Sequence, residues 1–265
     1  MEKSKKIIAI TGVFMFLFSF GNMAGSINPD PQDTKPAKTP AKSTQTTKKT
    51  TQTKTKSAQT KPKTTPKSTP SEPVTKPKDT ETVMIGTQSW AIANLNVSTF
   101  RNGDSIPEAK TDQEWVKAGE AGKPAWCYYN NDPKMGLKYG KLYNWYAVND
   151  LRELAPEGWI IPSDDDWAQL SHSLGGQPVA GGKMKTTSGW SEGAHGTNES
   201  GFTGLPGGYR VENGIFLNLG SIGTWWSITE SRTFDAYDHF LSLSGSLGRS
   251  STPKQRGESV RCYKK

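Results

Sequence analysis

The pattern of apolar and polar positions divides the chain into three stretches. Residues 7–20 form an almost unbroken apolar run behind Lys3, Lys5 and Lys6, whereas residues 27–80 carry almost no aliphatic or aromatic side chain. From Glu81 onward apolar residues return in short bursts. Two bursts have helical spacing and a start signal. Thr111, with Glu114 three residues later and Trp115, Val116 and Ala118 behind it, predicts a helix opened by a capping box and stopped by Gly119 and Gly122. Ser163 and Asp166, before Trp167, Leu170 and Leu174, predict a second helix that ends at Gly175 and Gly176. The aspartates 164–166 resemble a metal loop, but acids in a first turn are what the helix dipole favours.

The remaining bursts are short and bounded by turn residues, the signature of strands. Residues 83–86 and 88–91 predict an opening hairpin, and 141–148 an apolar aromatic segment. Trp159, Ile160 and Ile161 read as a short buried strand closed by Pro162. Further strands are expected over 201–209, 214–219, 224–229, 239–243 and 259–263. The resulting fold class is α+β, with two helices, small mostly antiparallel sheets and long Gly-rich loops. In 224–229 Trp225 and Trp226 point to opposite faces, so at most one serves the core on a given face and the other needs a different role.

Charge sharpens these divisions. Residues 31–80 carry twelve Lys against Asp33, Glu72 and Asp79, whereas residues 81–265 carry 18 Lys and Arg against 20 Asp and Glu, a net of −2. The formal +8 of the whole chain therefore belongs to its N-terminal third, and no nucleic-acid-binding groove is expected. Residues 1–26 read as a signal peptide cleaved within 22–26, which makes the protein secreted, cell-surface or periplasmic; membrane attachment would come only through an uncleaved leader. No Cys follows the apolar run, so the acceptor for lipoprotein modification is missing. Residues 27–80, rich in Thr, Lys and Pro, cannot bury enough apolar area to offset ordering entropy and read as a disordered linker. Its lysines either stay solvated or adhere to anionic envelope polymers. Residues 81–265 hold all nine Trp and all eight Tyr, and are long enough to bury a core without metal.

Within 83–264 a series of motifs follows in order: 124–132 (PAWCYYNND), 139–147 (YGKLYNWYA), 155–159 (APEGW), 162–167 (PSDDDW), 174–176 (LGG), 198–202 (NESGF), 205–210 (LPGGYR), 225–230 (WWSITE) and 259–262 (SVRC). In order and spacing the series resembles the Fibrobacter succinogenes major paralogous domain of exported bacterial proteins. The resemblance implies a fold similar to the C-type-lectin-like and formylglycine-generating-enzyme-like folds, and it leaves the biochemical role open. One departure stands out: such domains commonly carry His after the Gly-Trp pair, where this chain has Ile160.

Cys127 and Cys262 are the only cysteines, and in an exported protein such a pair reads most simply as a structural disulfide. Closing so long a loop is worth up to roughly 5 kcal/mol. Two free thiols are the alternative, and an enzyme of the formylglycine-generating kind would need them as thiolates. His172, His195 and His239 show no metal-ligand spacing, and no nucleophile elbow, phosphate loop or dinucleotide fingerprint is present. Asn130, Asn131 and Asp132 offer oxygen ligands suited to Ca²⁺ and equally form an ordinary turn before Pro133. No other cofactor is suggested. Arg210 suits a structural carboxylate.

Flat rings bind sugars through their apolar faces, which makes the Gly-flanked Trp190 and the segment with Trp226, Ser227 and Glu230 the candidate ligand platform. The leading expectation is an exported, non-catalytic recognition module for a glycan or a surface protein. An enzyme using Cys127 or Cys262 and a structural envelope component held by its basic linker are the competing ones.

Overall fold

The capping signals form as the sequence predicts. In a computed structural model, which describes residues 81–264 apart from Glu192, helix α1 (Asp112–Glu120) opens on Thr111, whose hydroxyl accepts from Glu114 N, while the Glu114 carboxylate accepts from the amides of Thr111 and Lys110. Those bonds hold Glu114 below its ordinary pKa. Trp115 is the large side chain that α1 buries, together with Gly119.

The described chain begins with β1 (Thr82–Ile85), paired antiparallel with β2 (Gln88–Ala91) in the expected opening hairpin. Next come β3 (Trp126–Cys127), the short helix α2 (Pro133–Tyr139), β4 (Leu142–Tyr143) and α3 (Trp145–Val148). Helix α4 (Asp164–Ser173) starts on a second capping box, Ser163 with Asp166, and α5 (Gln177–Met184) follows. The rest is β5 (Tyr209–Arg210), β6 (Phe216–Leu217), β7 (Gly223–Arg232), β8 (Asp235–Leu241), β9 (Leu247–Pro253) and β10 (Tyr263–Lys264).

The class is α+β, with five α-helices among the described residues where two were expected. Helix α5 escapes a sequence reading because Gly181 and Gly182 argue against a helix. The fold explains Gly181: a Cβ there would meet the Ser246 carbonyl at 2.2 Å, so only glycine lets α5 lie on the chain entering β9. Strand β9 is mostly polar and joins the sheet through its register with β8, from Asp235↔Pro253 to Leu241↔Leu247. The expected strand at 159–161 is absent; Ile160 makes a single bridge to Tyr263.

Four small antiparallel sheets result: β1-β2-β10, β3-β4, β5-β6 and β7-β8-β9. Strand β7 divides the interior. Trp225 packs with Trp167, Trp90, Phe202 and Leu241 on one side, and Trp226 with Tyr143, Trp145, Val260 and Ala236 on the other. The two tryptophans do face opposite ways, but both faces of β7 are covered, by α4 and by the β4–α3 segment, so neither ring reaches solvent. The leader assigned to residues 1–26 and the linker assigned to 27–80 lie outside the described residues. Among the described residues no helix is long and apolar enough to cross a membrane.

Candidate functional site

The residues first suspected of binding do not come together. Trp190 is buried, its indole N–H donating to Thr186 Oγ1 and the Gly204 carbonyl. Trp226 is fully buried, with its indole N–H on the Tyr143 carbonyl at 2.8 Å, and Ser227 beside it is equally closed off. Both are corrected from ligand platform to core. Glu230 is exposed and ion-paired with Lys254. In the suspected calcium loop, Asp132 is the N-cap of α2 and accepts from Lys134 N at 3.0 Å, while Asn130 and Asn131 both adopt left-handed φ of 53°. The turn reading accounts for that geometry, although the buried Asn131 Oδ1 has no partner. No group of three or more His, Cys, Asp and Glu side chains is arranged for a metal among the described residues.

The disulfide is also corrected. Cys127 and Cys262 are free and buried in different core clusters, Cys127 with Trp115 and Leu142, Cys262 with Trp126 and Val260. Burial pushes both thiols up to about 12, which leaves them protonated and unreactive at neutral pH. Arg210 does hold a carboxylate: fully buried, it donates to Asp112 at 2.9 Å and to the Ala109 and Gly214 carbonyls.

Eight of the nine tryptophans are buried, and Trp159 is the exception. It stands at the end of the 155–159 loop, where a turn closes from Trp159 N to the Pro156 carbonyl and Gly158 takes a φ of +78° that disfavours a side chain. A single arginine fixes this loop. Arg101 donates from Nε to the Ala155 carbonyl at 3.0 Å and from Nη2 to the Trp159 carbonyl at 3.0 Å and the Pro156 carbonyl, and pairs through Nη1 with Glu153. Three hydrogen bonds from one rigid guanidinium to loop carbonyls thus hold the backbone of residues 155–159 in place.

Trp159 lines a cleft of about 510 Å³. Val148, Leu154 and Ile161 make its apolar floor, Ile228 and Leu151 its lip, and Arg101, Asn149, Asp150 and Asp166 its polar edge. Ile160, where the family resemblance leads one to expect His, also lines it. Asp150 is held below the usual carboxylate range by the Arg152 guanidinium, which grips both its oxygens at 2.8 and 2.9 Å. Asp166 accepts from the amide and hydroxyl of Ser163 and from the Tyr263 hydroxyl, and burial together with this bond raises the tyrosine pKa. Over the indole itself lies the Lys264 ammonium, 4.8 Å from the ring centroid.

The N-terminus of α4 also borders a second cleft, of about 370 Å³, which Asp164 lines. Asp164 takes a forked pair of bonds from Arg249 at 2.7 and 2.9 Å and one from His239 Nε2 at 3.0 Å. His239 stacks on Trp167 with centroids 4.9 Å apart. Burial depresses its pKa to about 4 against the pull of Asp164, so the imidazole is neutral. Burial of Asp164 is outweighed by Arg249 and His239, and its carboxyl sits below its usual range. Sequence reading identified the helix-opening role of this aspartate but not its partners, which lie 75 and 85 residues away.

No curated protein and no solved structure matches the chain. The profile of the Fibrobacter succinogenes major domain matches residues 83–264, which span both clefts, both capping boxes and both cysteines. The chain belongs to the Fibrobacter succinogenes major domain family.

Proposed function

We propose that this protein is an exported, non-catalytic recognition module whose domain, read as lectin-like, binds a glycan through the Trp159 cleft. The observation that carries the reading is that Trp159 is the one tryptophan left partly open, and it lines the largest of the clefts described. A saccharide ring offers an apolar face to such an indole and hydroxyls to the polar groups around it. The indole N–H of Trp159 and the side-chain amide of the exposed Asn149 have no partner among the described residues and are free to bond a ligand. The cleft walls are fixed by Arg101 and by the α4 cap, so little ordering cost accompanies binding.

An enzymatic role through cysteine finds no support, because the thiols are buried and held protonated. Titration calorimetry of the full chain against soluble oligosaccharides tests the reading. Binding is expected, and Trp159→Ala should weaken it about tenfold or more, the scale of truncating an aromatic anchor. Saccharide binding that is indifferent to this substitution would refute the assignment to the cleft.

A further inference from the structure

We infer that the Trp159 cleft selects an uncharged saccharide, one bearing neither acid nor amine; this deepens the glycan reading above and rests on it. The basis is the way the charges around the cleft are already committed. Asp150 is gripped through both oxygens by Arg152, whose Nη1 also reaches Asp104 at 3.3 Å. Glu153 is paired with Arg101, and the remaining bonds of Arg101 go to loop carbonyls. Asp166 is engaged by Ser163 and Tyr263. Lys264 is exposed and rests over the indole without a carboxylate partner among the described residues, and a stacking ring can displace it.

An acidic ligand entering this cleft would approach Asp150, Glu153 and Asp166, and could take a guanidinium only by breaking a pair or releasing the loop that carries Trp159. An amine-bearing ligand would approach Arg101, Arg152 and Lys264, with each carboxylate already occupied. An amine would lose hydration without gaining an unpaired carboxylate, and an acid would gain only the exposed, solvent-screened ammonium of Lys264. Neutral hydroxyls meet no such penalty, because two uncommitted groups at the rim, Trp159 Nε1–H and the Asn149 amide, are neutral donors and acceptors. Position 160, which also lines the cleft, is an isoleucine and adds no titratable group.

The discriminating experiment measures binding of three sets of oligosaccharides of equal length to the full chain: neutral hexose or pentose oligomers, oligogalacturonates, and amine-bearing glucosamine oligomers. Each set is measured at low and high salt, with Trp159→Ala and Asn149→Ala as cleft variants; the second changes an exposed side chain and guards against misfolding of the first. The expected result is that a neutral set binds, changes less than about twofold with salt, and weakens in both variants. A Trp159-dependent preference for the acidic or amine set would overturn the inference while leaving the glycan reading standing. Acidic binding that survives both substitutions, with no Trp159-dependent neutral binding beside it, would overturn the inference as well. Failure of all three sets to bind would remove both.

Discussion

Asp238 and His239 are neighbours on β8, yet the opposite faces they occupy compensate charge in opposite ways. On the His239 face the acid is Asp164, which accepts hydrogen bonds from Arg249 and His239. On the Asp238 face the acid is Glu258, fully buried, with neither carboxylate oxygen hydrogen-bonded and Arg256 no nearer than 3.6 Å. Asp238 is little better placed, buried and relieved chiefly by the hydroxyls of Ser250 and Thr252. Burial, then the charge of Asp238, raises the Glu258 pKa well above its usual value and so favours the neutral acid. A single three-stranded sheet thus separates a satisfied ion pair from an unsatisfied buried acid, and the two faces respond to pH with opposite signs.

The largest effect expected is that of His239. Its folded pKa of about 4 lies below the ordinary 6.5, so the unfolded chain binds more protons between these values. The contribution is whole above pH 6.5 and is lost as pH falls toward 4, on the order of 3 kcal/mol. Denaturant unfolding across that range should find this loss abolished in His239→Gln, which keeps a donor for Asp164. An unchanged acid profile would mean that the imidazole is not buried neutral.

Glu258 works in the other direction. Its raised folded pKa means that the fold retains a proton the unfolded chain releases, so stability is greatest below the ordinary carboxylate range and declines as pH rises through it. Glu258→Gln should therefore stabilise the protein at neutral pH by about 2 kcal/mol and flatten the decline. The same variant should steepen the acid loss caused by His239, because the two opposing slopes partly cancel in the parent chain. The smallest effect expected is that of Arg249→Met. Its pair with Asp164 is half exposed, and solvent screening limits the loss in melting experiments to under about 1 kcal/mol. A larger loss would make this pair the main support of the second cleft.

Local signals in this sequence were readable, and long-range coverage was not. Thr111 with Glu114 and Ser163 with Asp166 declared their helices because a cap needs only residues within one turn. The opposed directions of Trp225 and Trp226 follow from strand periodicity, but that both faces are covered depends on α4 and on the β4–α3 segment, far away in the chain. Counting two cysteines suggested a bridge; only the fold places them in separate clusters. The site was misread for a related reason. Trp159-Ile160-Ile161 has the composition of a buried strand, yet only Ile161 is buried, and the half-open Trp159 is set by Arg101, 58 residues earlier, holding its carbonyl in place of a strand partner. The one sequence-level hint at this spot was Ile160 in place of the family's common His, beside what became the cleft.

The grip of Arg101 bears on how the protein can be altered. Within the 155–159 loop it holds only main-chain oxygens, those of residues 155, 156 and 159, so that hold does not depend on the identity of the loop's side chains. Anchoring and recognition are therefore separable here. A library that varies Glu157 and Trp159 while keeping Arg101, Gly158 and the core-packed Ile160 fixed would present new surfaces on the same loop frame, offering a route to domains of this family with altered ligand preference.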